Sequence, residues 1–457
     1  MNTGGVIIVT IVVFLIVVLL LVSVLLFAKA KLMPSGKIKI TINGDTELEV
    51  DGGGTLLSTL GSNGIFLPSA CGGGGTCVQC ICQVHTGGGE ILPTEAPHFS
   101  RKEIVSNHRL GCQVKVKEDM EIEIEEEILG IKEWEATVVS NYNVATYIKE
   151  FIVEIPEDMN YKAGGYIQIK IPKCEVKFAD MDVVAHPQDH PGEPDKFVKE
   201  WAEGPFALRN LVMKNPEEVV RAYSMASYPA EGRKIMLNVR VAAPPFDPMA
   251  GPLRKDKDGL QVMDRDGKPA HEGGWMNVNP GIASSYIFNL KEGDKAIVSG
   301  PYGEFFINDS EAEMLYVGGG AGMAPMRSHL YELFKTLKTG RKVSYWYGGR
   351  SRAELFYIHY FRDLEKDFPN FKFYLVLSNA LESDKWVNKS DINDPDGDGF
   401  TGFVHQVVID EYLSKHDAPE DIEFYFCGPP MMNQAVIKMC DEWGVPDENV
   451  RFDDFGG

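Results

Sequence analysis

The chain has 457 residues, too many for one ordinary core, and its 44% hydrophobic and 24% charged content is that of folded globular protein in roughly two to four domains. Its 45 basic against 66 acidic residues leave a formal net charge of -21, which argues against a nucleic-acid partner because the phosphates would be repelled. The same balance suits a soluble mass held near a membrane or facing a basic partner.

Residues 1–28 carry no charged side chain, and Val6–Ala28 is almost entirely Val, Ile, Leu and Phe. Such a run is long enough to cross a hydrocarbon core of ~30 Å as a helix. A cleaved signal peptide would bring a basic n-region and a shorter apolar stretch, and Met1–Gly5 contains neither Lys nor Arg. A permanent transmembrane anchor over 1–28 is therefore expected. Lys29, Lys31 and Lys37 follow at once, so the positive-inside rule places everything after the span in the cytoplasm. Four of the eight cysteines cluster with metal-ligand spacing, while Cys82, Cys174, Cys427 and Cys440 show no pairing pattern. A reducing compartment with a cysteine-bound metal fits this better than a disulfide framework.

A linker over 29–36 contains Pro34, Ser35 and Gly36. In 37–131, Ile38, Ile40 and Ile42 alternate with polar residues, Asn43-Gly44 makes a hairpin turn, and Leu48 and Val50 resume the alternation. A short helix at Thr55–Leu60 and strands at Ile81–Val84, Gln113–Val116 and Met120–Ile124 complete a small β-rich domain. Over 132–309 the signals are short strands (Ala136–Val139, Glu150–Ile155, Tyr166–Ile171, Ile235–Val241, Lys295–Ser299), which read as an antiparallel barrel. Stretches rich in Pro, Asp, Lys and Gly at 174–215 and 242–280 read as insertions on that scaffold. Over 310–457 strands at Met314–Val317, Val343–Tyr347, Phe371–Leu377 and Glu423–Phe426 alternate with helices at Met326–Leu337, Ala353–Leu364, Phe403–Leu413 and Met431–Trp443. That is a parallel α/β sheet.

Chemistry concentrates at four places. Cys71, Cys77 and Cys80 share a loop, with Cys112 beyond a spacer of 31 residues. Gly72 to Gly75 and Thr76 let backbone amides turn toward sulfur without Cβ obstruction, and thiolates are the soft ligands that iron takes. The C-x5-C-x2-C spacing is one residue longer than the plant-type ferredoxin pattern and nearer the adrenodoxin-like variant. Zinc is the alternative, although zinc loops rarely carry so Gly/Thr-rich a ligand gap. Arg221-Ala222-Tyr223-Ser224 offers a diphosphate partner, an aromatic face and a hydroxyl for a flavin. Gly281, Ser284 and Ser285 look like a helix start that holds a pyrophosphate. Gly318-Gly319-Gly320-Ala321-Gly322 to Pro325 sits between a strand and a helix, where a nucleotide pyrophosphate binds a parallel sheet. Its G-x-G-x-x-P form tells against the two-halved dinucleotide fold. Cys427-Gly428-Pro429-Pro430 closes the last long strand. By contrast, His186 and His190 with Asp182 and Asp189 read as a solvated loop, Glu121–Glu127 as an exposed strand edge or linker, and Met431 and Met432 as helix packing.

The R-x-Y-S stretch, the G-x-G-x-x-P turn, the Cys-Gly-Pro-Pro element and a near-terminal Phe455 occur in the order that resembles the ferredoxin–NADP⁺ reductase superfamily. With a ferredoxin-like module and a single span in front, the whole chain resembles the F subunits of sodium-translocating NADH:quinone reductases. Residues 221–229 and the ending Phe452–Gly457 are especially close. The resemblance implies a multidomain protein: an N-terminal transmembrane helix, a β-grasp ferredoxin-like domain, an FAD-binding barrel and an NADH-binding α/β domain. It implies Cys71, Cys77, Cys80 and Cys112 as ligands of a 2Fe-2S cluster. Arg221, Tyr223 and Ser224 would hold FAD, with Gly281, Ser284 and Ser285 at its phosphates. Gly320 and Gly322 would face the NADH pyrophosphate, with Cys427 and Gly428 beside the nicotinamide. Ser224, Cys427 and Phe455 would serve hydride transfer, Phe455 covering the flavin. The partners implied are the other subunits of a membrane complex that reduces quinone and translocates sodium, in a bacterial inner membrane. NADH over NADPH rests on the resemblance, since Arg350 and Arg352 are able to pair a 2′-phosphate. Two other readings use the same residues: the reductase component of an oxygenase, and a membrane-tethered ferredoxin-type carrier.

Overall fold

The computed structural model describes residues 11–24, 37–69, 71–204, 206–255, 260–263 and 268–454. The chain divides into two compact units, Met1–Lys132 and Glu133–Gly457.

In the first unit, residues 11–24 form helix α1, its side chains exposed throughout. Among the described residues no helix is long and apolar enough to cross a membrane. The expected span extends on both sides of α1 into 1–10 and 25–28, and with the linker 29–36 these lie outside the described residues. Strand β1 (Lys37–Ile42) turns through Asn43 and Gly44, both at positive φ, into β2 (Thr46–Asp51). Its alternation sends Ile38, Ile40 and Ile42 inward. Helix α2 (Leu56–Ser62) starts from a capping box between Thr55 and Ser58 and buries Leu56, Thr59 and Leu60. Strand β3 (Ile81–Thr86), α3 (Arg101–Val105), β4 (His108–Leu110) and β5 (Met120–Glu123) complete a sheet of order β2-β1-β5-β3-β4, with β5 parallel to β1. One helix over such a sheet is the β-grasp arrangement. Two local expectations change. Gln113–Val116 is not a strand: Leu56 N–H donates to Val114 O (2.8 Å) and Gly53 N–H to Val116 O (2.7 Å), so these carbonyls serve the start of α2. The acidic run begins on β5, an interior strand, with Ile122 and Ile124 buried and Glu121 and Glu123 on the exposed face.

The second unit opens with six antiparallel strands: β6 (Lys132–Ala145), β7 (Ile148–Glu154), β8 (Tyr166–Ile171), β11 (Val219–Ser224), β12 (Lys234–Arg240) and β15 (Lys295–Tyr302). They form one sheet of order β11-β8-β15-β6-β7-β12. A Met225–Leu237 bridge just past β11 brings the two edges together. The first insertion contributes β9 (Cys174–Lys177), α4 (Val198–Ala202) and β10 (Val212–Asn215); the second contributes β13 (Phe246–Asp247) and β14 (Gly274–Trp275) ahead of α5 (Ile282–Asn289). Far from being solvated, the first insertion puts Phe178, Phe197, Trp201 and Leu208 into the same core as Phe151, Ile167 and Leu237.

The rest of the unit comprises β16 (Met314–Gly319), α6 (Met323–Tyr331), β17 (Val343–Gly349), α7 (Ile358–Asp367), β18 (Phe371–Leu377), β19 (Phe400–Thr401), α8 (Val404–Glu411), β20 (Glu423–Cys427), α9 (Pro430–Glu442) and β21 (Val450–Asp453). Its strands make a parallel sheet of order β19-β18-β17-β16-β20-β21. Alternate residues of β16 face opposite cores: Tyr316 joins Met326 and Phe361, whereas Leu315 and Val317 join Val408 and Val436. Helices thus cover both faces, and the strand order reverses between β16 and β20, where such sheets take ligands.

Candidate functional site

The cysteine loop lies between α2 and β3. Gly72, Gly73 and Gly75 have positive φ, and so does the β-branched Val78 (59°), a conformation such residues rarely adopt. The loop folds the thiols into two pairs. Cys77 Sγ–H points to Cys71 Sγ at 3.3 Å, and the Cys80 thiol donates to Cys112. Partial burial opposes a Cys71 thiolate, yet amides of Cys77, Thr76 and Gly73 together with the Cys77 thiol draw its pKa down to about 6. Cys112 falls to about 6 mainly through the Cys80 bond, against burial, with help from the Gln113 side chain. Cys80, the donor of that pair, is pushed up, and so is half-buried Cys77 through desolvation. Cys82 is buried on β3 and pushed up to about 12 by desolvation, with its thiol against Arg109 O. A fully buried Glu95 carboxylate receives Arg109 Nη2–H (2.8 Å) and Leu110 N–H (3.0 Å), fixing β4 just ahead of Cys112. Among the described residues, no group of three or more His, Cys, Asp or Glu side chains is arranged to hold a metal ion.

In the second unit the R-x-Y-S residues occupy the end of β11. Arg221 is half-buried, and its Nη1–H donates to Val220 O at 2.7 Å. Tyr223 packs half-buried against the barrel core, its hydroxyl pushed up by desolvation. The start of α5 differs from the expectation of free hydroxyls. Ser284 Oγ accepts Ala242 N–H (3.0 Å), and Ser284 and Ser285 Oγ–H both donate to Gly281 O (3.3 and 2.7 Å). The two serines brace the turn from inside, and the first helical bond of α5 is from Ser285 N–H to Gly281 O, so the amides of 282–284 precede the helical ladder.

At the reversal of the parallel sheet, Gly318 is the register partner of Cys427. A Cβ on Gly322 would lie 2.0 Å from Cys427 O and 2.8 Å from Gly428 N, so only glycine lets α6 begin against that backbone. Gly320 (φ 57°) lies nearer the barrel, its would-be Cβ 3.8 Å from Ile148 Cδ1. Cys427 is fully buried and its thiol is pushed well up by desolvation. Met432 fills the space beside Gly319 and Gly428, while Met431 is exposed. Asp453 on β21, a residue absent from the sequence expectation, is the register partner of Cys427 and accepts Ser224 Oγ–H at 2.5 Å. Desolvation pushes that carboxyl up to about 6. The end of β11 and the end of β20 therefore meet through one side chain. Phe455 lies outside the described residues.

Helix α6 joins the two sheets of this unit. Buried Arg327 donates to Ala226 O (2.7 Å) and to Glu231 (2.7 and 3.0 Å), and Ser328 Oγ–H to Ser227 O (2.7 Å).

Two family models match the chain: a 2Fe-2S iron-sulfur cluster binding domain over 40–117 and an oxidoreductase NAD-binding domain over 316–438. The F subunit of the Na(+)-translocating NADH-quinone reductase of Neisseria meningitidis is 48% identical over 435 residues, covering 95% of each chain. That of Shewanella denitrificans is 49% identical over 440 residues, covering 95% of this chain and 96% of its own. The chain belongs to this family of F subunits. Among solved structures, an Amycolatopsis cytochrome P450 reductase covers 92% of this F-family chain and 98% of its own, with a TM-score of 0.57 and 20% identity. That likeness is one of fold. The two domain models place the cysteine loop within the cluster-binding domain, and the glycine turn and Cys427 within the NAD-binding domain.

The carboxylate at 453 carries no motif of its own, because only a short edge strand delivers it. Its signal in the sequence is its position inside the close family ending.

Proposed function

We propose that the chain is the NADH-oxidising, electron-input subunit of a sodium-translocating NADH:quinone reductase. It takes hydride from NADH onto FAD and passes electrons singly to a 2Fe-2S cluster. FAD supplies the exchange between a two-electron donor and a one-electron acceptor. The domain division is 37–131 for the cluster, 132–309 for FAD and 310–457 for NADH, preceded by a membrane anchor over 1–28 and a linker over 29–36.

The observation that carries this reading is the Ser224–Asp453–Cys427 junction, where the strand assigned to flavin meets the sheet reversal assigned to nicotinamide. The residues fit each group. Two thiol pairs, Cys71/Cys77 and Cys80/Cys112, suit two irons with two protein ligands each, and amides already directed at sulfur suit a charged cluster. Arg221 and the amides opening α5 suit the FAD diphosphate, and Tyr223 offers an aromatic face. Gly320 and Gly322 leave backbone bare for the NADH pyrophosphate. Buried Cys427, held neutral, keeps a soft uncharged side chain at the junction. The Ser224 hydroxyl and Asp453 carboxyl hold a proton between them there. Arg352 is engaged by Asp398 (3.1 Å), which leaves it less suited to a 2′-phosphate and favours NADH.

The partners are the remaining subunits of the complex in a bacterial inner membrane, the two units after the anchor facing the cytoplasm. Extraction in mild detergent tests this. Quinone-reductase subunits should copurify with the full chain, and an oxygenase found in their place would replace the reading.

A further inference from the structure

The first insertion carries a turn, His186 to His190, whose two histidines are buried, His186 7% and His190 9% exposed. The barrel side holds it firmly. His186 N–H donates to Asn143 O (2.7 Å), Asn143 N–H to Val184 O (2.7 Å), and Trp201 Nε1–H to Thr146 O (2.6 Å). His190 Nε2 lies 3.3 Å from Val144 O.

Its other side grips the parallel sheet. Asp189 Oδ1 accepts the N–H of Tyr357, the residue that caps α7 at φ 60°, a conformation rare for a bulky side chain. Tyr357 Oη–H donates to Glu150 on β7 (2.6 Å), and Asn238 Nδ2–H on β12 donates to Tyr357 Oη (2.8 Å). His186 bridges the two acids, Nδ1 3.0 Å from Asp189 Oδ2 and Nε2 3.4 Å from Glu150 Oε1. Tyr360 Oη–H reaches Gln188 at 2.5 Å, and His359 Nδ1 lies 3.4 Å from Asp189. Tyr357 ends the loop that leaves the C-terminal edge of β17, next to the glycine turn after β16, the edge at which parallel sheets bind nucleotides. Strand β7 touches both places from one face, Ile148 against Gly320 and Glu150 against Tyr357.

We infer that the His186–Asp189 turn is a strut that fixes the β17–α7 loop against the barrel and so sets where the nicotinamide coenzyme lies relative to the flavin. His186, Asp189 and Tyr357 are then positioning residues for hydride transfer, an inference that rests on the proposed function. The barrel grips the Tyr357 side chain through Glu150 and Asn238, while the turn grips its backbone through Asp189, so the two hold the loop at different atoms. Burial opposes charge on His186, but its bonds to Asp189 and Glu150 outweigh burial and raise its pKa to about 9, so the bridge stays charged at neutral pH.

The test is stopped-flow reduction of the flavin by NADH in full-length, FAD-loaded protein. Asp189→Asn and His186→Gln alter the turn's own ion pair and are the primary variants; Tyr357→Phe removes the single oxygen through which the barrel holds the same loop and accompanies them. A small misplacement of reacting groups costs on the order of tenfold or more in rate. The rate at saturating NADH should fall by that factor, with FAD content and the dithionite-reduced cluster EPR signal unchanged. Glu150→Gln with Tyr357→Phe should lose no more than the worse single variant, because the two share one bond. Saturating rates equal to wild type, with only the thermal midpoint lowered, would make the turn a packing element and overturn the inference. Absence of flavin reduction by NADH in the wild-type protein would instead overturn the functional reading beneath it.

Discussion

Gly322 has the least room of the glycines at the sheet reversal, since a Cβ there would sit 2.0 Å from Cys427 O and 2.3 Å from its carbonyl carbon. Neither atom belongs to a flexible side chain, so alanine forces α6 away from β20. Gly322→Ala should therefore cut NADH-dependent flavin reduction at least about tenfold, through displacement of the groups that orient the coenzyme. FAD content and the cluster EPR signal should survive, because Arg221, Tyr223 and the cysteine loop lie on other elements. Wild-type kinetics in that variant would remove the glycine turn from the NADH site. At this scale the cysteine grouping was legible because its spacing is covalent and local, and the structure folds those four thiols into two pairs. Asp453 was not, because its meaning arises only when β21 pairs with β20 and brings a carboxylate beneath Ser224.

The elements followed their patterning where alternation sends one face to one core or an apolar run fills both faces. Strands β1, β16, β17 and β20 fell where alternation or apolar runs put them. The pattern failed where tertiary contacts override propensity. A helix starting at Ala353 is reasonable from composition, but Asp189 and Glu150 hold Tyr357 outside helical geometry, and α7 begins at Ile358. Pro, Asp and His suggested a solvated loop near 186; the acids pair with the imidazole, and that pairing permits burial. A pH dependence follows. Glu150 from β7 and Asp189 from the turn face His186, Tyr357 and His359 bond the same carboxylates, and the Tyr142 ring on β6 lies 6.0 Å away. The folded pKa of about 9 lies above the ordinary 6.5, so the contribution is fully present below 6.5 and is lost as pH rises through 9. The thermal midpoint of wild type should exceed that of His186→Gln near neutral pH and approach it above pH ~9. A constant gap across that range would show that His186 contributes by packing.

Across the whole molecule, the proposed function gives hydride capture to the second unit and one-electron delivery to the first. The order of modules was legible because each carries its own short motif. The membrane assignment rests on hydropathy over 1–28, of which only 11–24 are described as helix. The central claim is the order of electron flow, and anaerobic NADH addition to full-length protein, with the cluster followed by EPR, tests it directly. Protein stripped of FAD but retaining its cluster should show no reduced 2Fe-2S signal with NADH, should show it with dithionite, and should regain the NADH response when FAD is restored. Reduction of the cluster by NADH in the flavin-free protein would contradict that order.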